Sequence, residues 1–550
     1  MRRRAATSVF GMAIALVASI LMPTAAEAAE TLLSQGKPAT ASSIEAAGFE
    51  AGKAVDGNSS TRWASLEGHD PEWIQVDLGS AQAISRVKLT WEAAYAKAYQ
   101  VRISTDGSTW TNAFSTTTGN GGTDDLTVSG TARYVRINGT ARGTTYGYSL
   151  FEFQVYGGDG GPPPGGGDAA VPFGGHTIPY AAGMLRPSGT QSALDASVVD
   201  YYKRWKTAFV RQNCGNGWYQ VISPDADHPY VAEAQGYGMV IAATMAGADP
   251  DAKKIFDGLV KWKLDHPSSI NPDLLAAEQD VNCRSVNGGD GATDGDMDVA
   301  YGLLLADRQW GSAGTYNYKQ LAIRHINAIK KDEINPSTNL LKLGDWTSSG
   351  DQYYYISRTS DWMVDHFRAF RKATGDTAWD TIRNAHQTSI ANLQAGFAAS
   401  TGLLPDFVIN TNTSPRPASG QVLEDPNDGQ FWWNACRTPW RIGDDAVTSA
   451  DSRSLAAARK LNSWIKSKTG GNPNQIAMGY RLNGTQISSG SEPAFFAPFA
   501  VAAMTDAGSQ AWLDALWNKM LGTPIGTDSY YSASIQLQVM ITVTHNHWVP

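Results

Sequence analysis

Glu233 is the one charged residue in YVAEAQGYGM (230–239). No Lys or Arg in the stretch can pair with it, so its carboxyl is either exposed or has its protonation tuned by burial. A carboxyl kept protonated near neutral pH can act as a general acid. A second acidic group, Asp294, Asp296 and Asp298, opens GATDGDMDVAYGLLLADRQW (291–310). Acids favour a helix N-terminus through its dipole and free N–H groups, but three acids exceed what capping requires. The alternating acids hint at Ca²⁺, yet the run lacks the Gly and distal Glu of an EF-hand loop. A third stretch, FWWNACRTPWRIGDD (431–445), is dense in Trp and Arg. Just upstream, PASGQVLEDPNDGQ supplies Glu424, Asp425 and Asp428.

These residues fall among helical patterns. Segments 193–210, 296–310, 316–331 and 361–375 repeat apolar residues at i, i+3, i+4 and i+7. Ten or more such helices with long Gly-rich connections predict an all-α toroid, with the chemistry in loops at one end. The N-terminal part reads differently. WIQVDLG, ISRVKLTW, YQVRIST, ARYVRING and FEFQVYG alternate apolar and polar residues between turns, as strands of a β-sandwich or jelly roll do. Between the two parts, GDGGPPPGGGD (158–168) is a linker reaching about 36 Å at most.

At 550 residues the chain is too long for one ordinary core. Residues 1–28 carry an Arg triplet, a short apolar run and an A-E-A site, the pattern of a secretory signal peptide. The product is therefore expected to be exported and free of membrane, with a module at 29–157 and a larger domain at 169–550. Removing the signal's three Arg and one Glu takes the net charge from −8 to about −10. That excludes nucleic acid as a natural partner and suits a neutral or cationic one. A disulfide between Cys214 and Cys283 is open to an exported chain, leaving Cys436 over. No Cys pair has metal-ligand spacing. The 18 Trp and 21 Tyr serve either stacking on ligand faces or core packing.

Two resemblances sharpen these expectations. KAVDGNSSTRWAS (53–65), WIQVDLG and YSLFEFQVYG resemble the discoidin-like (F5/8 type C, family 32) jelly roll, a carbohydrate-binding module in exported bacterial enzymes. The resemblance implies a structural Ca²⁺ held by Asp56, Glu152 and the Lys53 carbonyl; an Asx turn at Asp56 is the alternative. Its ligand candidates are Glu45, Phe49, Trp91, Glu92, Tyr95, Tyr146 and Tyr148, each equally placed to be core or rim.

AEAQGYGM, ATDGDMDVAYGLLLA and NACRTPWRI, in that order, resemble glycoside hydrolase family 8, an (α/α)6 barrel that hydrolyses β-linked glucan, xylan or chitosan with inversion. The resemblance implies Glu233 as general acid and Asp294 as the residue positioning the sugar. Asp296 would support the loop, and Asp298 would cap or sit behind. Many relatives carry an Asp base where this chain has Asn434, which cannot usefully accept a proton. The chitosanase and lichenase subdivision has this Asn and draws its base from an upstream loop, which points to Glu424, with Asp425 and Asp428 in reserve and Asn434 orienting water. Arg437 would line the floor of the site or lie in a salt bridge beneath it. Asp361 would face a sugar ammonium or cap a helix. Trp218, Tyr219, Tyr237, Trp346, Tyr354, Trp432 and Trp433 are the stacking candidates. The expectation is a monomeric, cofactor-free, endo-acting hydrolase of polysaccharide, chitosan before β-glucan; the rival is a barrel that binds sugar without turnover.

Overall fold

The computed structural model describes residues 31–157, 169–223, 227–526 and 529–550. The expected signal segment and the linker 158–168 lie outside the described residues.

In the N-terminal module, eight antiparallel strands run β1 (Thr31–Leu32), β2 (Ala39–Ala41), β3 (Trp63–Ala64), β4 (Glu72–Trp91), β5 (Ala96–Ser104), β6 (Thr111–Thr116), β7 (Thr123–Arg142) and β8 (Ser149–Gly157). Their order is β1-β8-β4-β7-β5-β6, with β2 on β4 and β3 on β8. The expected strands at 73–79 and 84–91 are one strand, β4, bent by irregular register between Asp77 and Gln82. A bulge of this kind lets one strand serve two faces. The alternation seen in the sequence buries Ile74, Val76, Val87 and Leu89 against Val101, Val135, Ile137 and Val155.

The remaining residues form thirteen described helices: α1 (Gln191–Phe209), α2 (Ala232–Thr244), α3 (Ala252–Asp265), α4 (Thr293–Trp310), α5 (Tyr318–Ala328), α6 (Val364–Thr374), α7 (Ala378–Gly396), α8 (Thr438–Ser449), α9 (Ser452–Lys468), α10 (Pro493–Phe496), α11 (Pro498–Ala503), α12 (Gln510–Gly522) and α13 (Tyr530–Val543). Helices α2, α4, α6, α8, α11 and α13 touch in that order and close into a ring, since α13 returns to α2. Each carries an outer partner: α3, α5, α7, α9, α12 and, on α13, α1. This is the (α/α)6 barrel. Residue character explains the layering. Almost every side chain of α2 and α13 is buried, whereas α1 and α3 bury only one stripe, as expected of inner and outer helices.

A disulfide joins Cys214 and Cys283, with Cα atoms 6.0 Å apart. It ties the approach to α2 to the approach to α4 across 69 residues of sequence. Cys436 stays a free, buried thiol. Replacing Cys214 and Cys283 together with Ser is expected to lower stability by ~2–4 kcal/mol, because the unfolded chain regains loop freedom. Urea midpoints check this: reductant should lower the wild-type midpoint and leave the variant's unchanged.

Candidate functional site

Five inner helices bring residues to one end of the barrel. Glu233 is the second residue of α2, Asp294 the second of α4 and Tyr530 the first of α13. The short turns before α6 and α8 carry Asp361 and Arg437. Helix N-termini present free N–H groups and a positive dipole end, which suits an acid-rich site. Helices α2 and α4 cross on glycine. A Cβ on Gly236 would lie 2.9 Å from the Asp298 Cβ, and one on Gly295 would lie 2.6 Å from the Ala232 backbone. That approach delivers Glu233 and Asp294 to the same guanidinium.

Arg437 is that guanidinium, and it is buried. Its Nη1 donates to Glu233 Oε2 at 2.6 Å, to Asp294 Oδ2 at 3.1 Å and to the Tyr237 hydroxyl at 3.2 Å. Its Nη2 donates to Asn434 Oδ1 at 2.9 Å and to Ser360 Oγ at 3.0 Å. Asn434 passes the chain on, since its Nδ2 donates to Glu424 Oε2 at 2.7 Å. Thus Glu233 and Glu424 are joined, and held apart, by one guanidinium and one carboxamide.

Glu424 sits on a loop whose shape is set by Asp428. The buried Asp428 carboxylate accepts backbone N–H bonds from Val422, Leu423, Glu424 and Asp425 at 2.7–3.2 Å. Glu424 itself is 42% exposed, against 15% for Glu233. Its other oxygen accepts from Arg358 Nη2 at 2.8 Å. Arg358 lies on a small sheet of Ser357–Arg358, Phe407–Ile409 and Arg416–Pro417, which backs the loop. Next to that sheet, Asp406 accepts from the N–H groups of Trp432, Asn434 and Ala435, fixing the turn that aims Asn434.

The acids differ sharply in electrostatics. Burial lifts the Glu233 carboxyl to about 7, against the pull of Arg437. Burial also acts to raise Asp294, but Arg358 and Arg437 overcome it and hold this carboxyl below its usual range. Adjacent carboxyls pushed apart in this way can hold and release a proton on one side while staying charged on the other.

Residues 186–545 match Glycosyl hydrolases family 8, and residues 38–153 match the F5/8 type C domain. The chain belongs to glycosyl hydrolase family 8. It is a glycoside hydrolase with a β-rich module ahead of its barrel. A beta-glucanase of Niallia circulans is 44% identical over 68% of this chain and 91% of its own length. An endoglucanase of Bacillus sp. (strain KSM-330) is 36% identical over 67% of this chain and 80% of its own. The apo structure of a beta-1,3-1,4-glucanase from Paenibacillus sp. X4 is 43% identical, covers 70% of this chain and all of its own, and superposes with a TM-score of 0.67.

In this family-8 barrel several sequence expectations need correction. Tyr237 is fully buried and accepts from Arg437, so it is no stacking platform. Asp361 is fully buried, with Oδ1 accepting from Ser360, and it caps no helix: the residue before α6 is Met363. Asp361 therefore presents nothing to a sugar ammonium. Trp218 is half-buried, stands edge-on to Trp262 and donates to Asp265 at the C-terminal end of α3. Asp428 cannot serve as a reserve base, because its oxygens are spent on four N–H groups. Asp425 is likewise engaged, by Asn427. Asp298 does not cap; it sits behind the site, paired with Arg441. Asp296 accepts from the Leu275 N–H. Trp346, Trp432 and Trp433 are half-buried. Arg358, Tyr530 and Asp406 escaped the sequence reading. Only Arg358 left a signal: two acids beside a lone Arg437 call for a second buried cation.

In the module, Trp91 is core: it is buried, edge-on to Tyr99, and donates to Asp124. Tyr148 is buried too and donates to Asp70. Glu45 and Glu92 flank Arg62 at 3.8 and 4.0 Å, and that guanidinium lies over the Phe49 ring. Tyr95 is half-buried, and Tyr146 is 56% exposed. The residues present fit a hard cation. Glu152 is 8% exposed, its Oε1 has no partner, and burial together with Asp56 raises its carboxyl to about 7. Asp56 also accepts from the Asn58 N–H, so the Asx turn exists alongside. The Lys53 ammonium lies 4.0 Å from Asp56 Oδ2.

Asp428→Ala is expected to leave four loop N–H groups unpaired, costing ~1–3 kcal/mol locally. Hydrogen exchange at residues 422–425 should speed up while the inner helices stay protected.

Proposed function

We propose that the chain is an inverting endo-β-glucanase of mixed-linkage β-glucan, with Glu233 as general acid and Glu424 as general base. The observation that carries this reading is the chain Glu233–Arg437–Asn434–Glu424. Two carboxyls separated by a guanidinium and a carboxamide leave space for a water, as inversion requires; retaining pairs stand closer, at about 5 Å.

The protonated form of Glu233 carries its proton on Oε1. Its Oε2 faces the Arg437 N–H, which cannot accept, while Oε1 faces the Tyr530 hydroxyl at 2.5 Å, which can turn to accept. The proton passes to the glycosidic oxygen as its bond to the anomeric carbon breaks. Glu424 takes a proton from the water attacking that carbon from the opposite face. Tyr530 and Arg437 then donate to the newly ionised Glu233, and solvent exchange resets both carboxyls. Asp294, kept charged by two arginines, is suited to hold sugar hydroxyls.

The names of the glucanase relatives support β-glucan as substrate. Chitosan is the second reading, favoured by the half-exposed Glu424 carboxylate and by the negative net charge. Reducing-end release from barley β-glucan, carboxymethyl cellulose and chitosan separates the two. Proton NMR of fresh β-glucan product should show the α anomer first; the β anomer first would overturn inversion. Glu233→Gln and Glu424→Gln should each lose roughly 10²–10⁴ in kcat. Full activity in Glu424→Gln would remove it as base, and binding without cleavage by the wild type would favour the non-catalytic rival. Because Glu233 must be protonated, kcat/KM should fall as pH rises through about 7.

Ca²⁺ in the module is proposed at Glu152, Asp56 and the Lys53 carbonyl, where it would neutralise two facing carboxylates. Calorimetry of the full chain should show a module transition raised by Ca²⁺ by up to ~2.7 kcal/mol at a hundredfold excess over Kd. The shift should vanish in Glu152→Gln.

A further inference from the structure

Below the reacting carboxyls lies a second layer of charge that the chemistry does not use. Asp298 follows Asp294 by one turn of α4, and Arg441 follows Arg437 by one turn at the start of α8. Both Arg441 Nη atoms donate to Asp298, Nη1 to Oδ1 at 3.1 Å and Nη2 to Oδ2 at 2.5 Å. The acid–arginine pairing at the site is thus repeated one turn deeper, on α4 and on α8, which follows directly from the Arg437 turn.

His366, on α6, bridges this layer to a third carboxylate. Its Nε2 lies 2.9 Å from Asp298 Oδ1, and its Nδ1 lies 2.9 Å from Asp365 Oδ1. A neutral imidazole offers one N–H and one lone pair, so one of these contacts would set a lone pair against a carboxylate oxygen. Only the imidazolium donates to both. The Tyr301 ring stacks on His366 at 3.8 Å, and an aromatic face favours a cation there. The facing groups complete the balance. Asp298 and Tyr301 come from α4, Asp365 from α6, Arg441 and Asp444 from α8, and His547 from the C-terminal tail, with Nε2 3.5 Å from Asp365 Oδ2. Side-chain oxygen and nitrogen atoms of Asp365, Asp444 and His547 lie within 4.8 Å of one another. Three buried carboxylates face Arg441 and two imidazoles, so the cluster is neutral when both rings are protonated.

We propose that His366 is held as an imidazolium and that, by fixing the Asp298–Arg441 pair, it is a positioning residue for Glu233 and Arg437. The path is short. The Asp298 Cβ is what a side chain at Gly236 would strike, so Asp298 sets the α2–α4 crossing three residues after Glu233. The Arg441 guanidinium lies 5.8 Å from the centre of the Tyr237 ring, whose hydroxyl accepts from Arg437. The two carboxylates outweigh burial and raise the His366 pKa above its usual value. Stability from this group is therefore full below about 6.5 and is lost as pH rises through the raised value.

The test has two parts. In ¹⁵N-histidine NMR of the wild type, with the His366 ring assigned by its through-space contacts to Tyr301 and Phe370, both ring nitrogens should stay protonated at pH 7.5. A ring that titrates between pH 5 and 7 would overturn the proposal, even if the variant failed to fold. In kinetics far below the unfolding temperature, His366→Gln should lower kcat roughly ten- to a hundredfold with KM little changed. Its alkaline limb should move upward, because a positive charge beneath Glu233 is gone. His366→Lys, which keeps the charge, should restore part of both. A lowered Tm with kcat and limb unchanged would mean a purely structural role and would overturn it. The limb rests on Glu233 being the acid, whereas the NMR does not, so failure of the acid assignment alone would leave the ring protonated.

Discussion

Arg437 is the interaction on which the site depends. A buried guanidinium requires charged or polar partners on every side, and removing one side of such a pair costs ~3–5 kcal/mol. Here the partners come from α2, α4, the turn before α6 and the turn that carries Arg437 itself. Satisfying one side chain therefore fixes four segments relative to one another. It also divides the acids by role. Glu233 shares Arg437 with Asp294 and Asn434, so burial prevails and its carboxyl rises to about 7. Asp294 has Arg358 3.8 Å away as well, and two cations keep it charged.

The barrel explains how such a network is assembled. Most inner-helix residues are buried, so charged groups along them, such as Asp298 and Arg441, pair with one another, and the groups that open to solvent collect where the helices begin. Outer helices contribute only an apolar stripe, and the groups that meet Arg437 come from inner helices and their leading turns. The α2–α4 crossing on Gly236 and Gly295 is closer than any side chain would allow, which is why two acids reach one guanidinium.

Much of this was legible in the sequence, for stated reasons. The helix count, the alternating strands of the module and the Glu233, Asp294 and Asn434–Arg437 motifs rest on local spacing. Glu424 entered as the expected base through the resemblance, because the subdivision that carries Asn at position 434 draws its base from the preceding loop. What local spacing does not carry is pairing across the ring. Tyr530 lies 297 residues from Glu233, and nothing near it in sequence marks it. Tyr237 and Trp91 were misjudged because an aromatic in a motif reads the same whether it stacks on sugar or fills a core. Asp361 was misjudged for a related reason: an acid before a helix suggests capping or exposure, and only the fold shows it enclosed.

Asn434 shows why an acid at its position would conflict with Glu424. Its Oδ1 accepts from Arg437 while its Nδ2 donates to Glu424, so the carboxamide faces a cation with one end and an anion with the other. An Asp at this position could still accept from Arg437, but its second oxygen would confront the Glu424 carboxylate. Like charges at hydrogen-bond distance raise one pKa strongly, so one of the two acids would hold a proton and cease to be a base. The amide removes that conflict and keeps Glu424 in place with a directed N–H bond, while Arg358 supplies the opposite charge on its other oxygen. If Glu424 is the base, as proposed, its loop must be rigid. The Asp428 carboxylate, closed on four backbone N–H groups, makes it so. Asn434, Arg358 and Asp428 thus form one solution: a half-exposed carboxylate, paired and fixed, opposite a buried carboxyl raised to about 7.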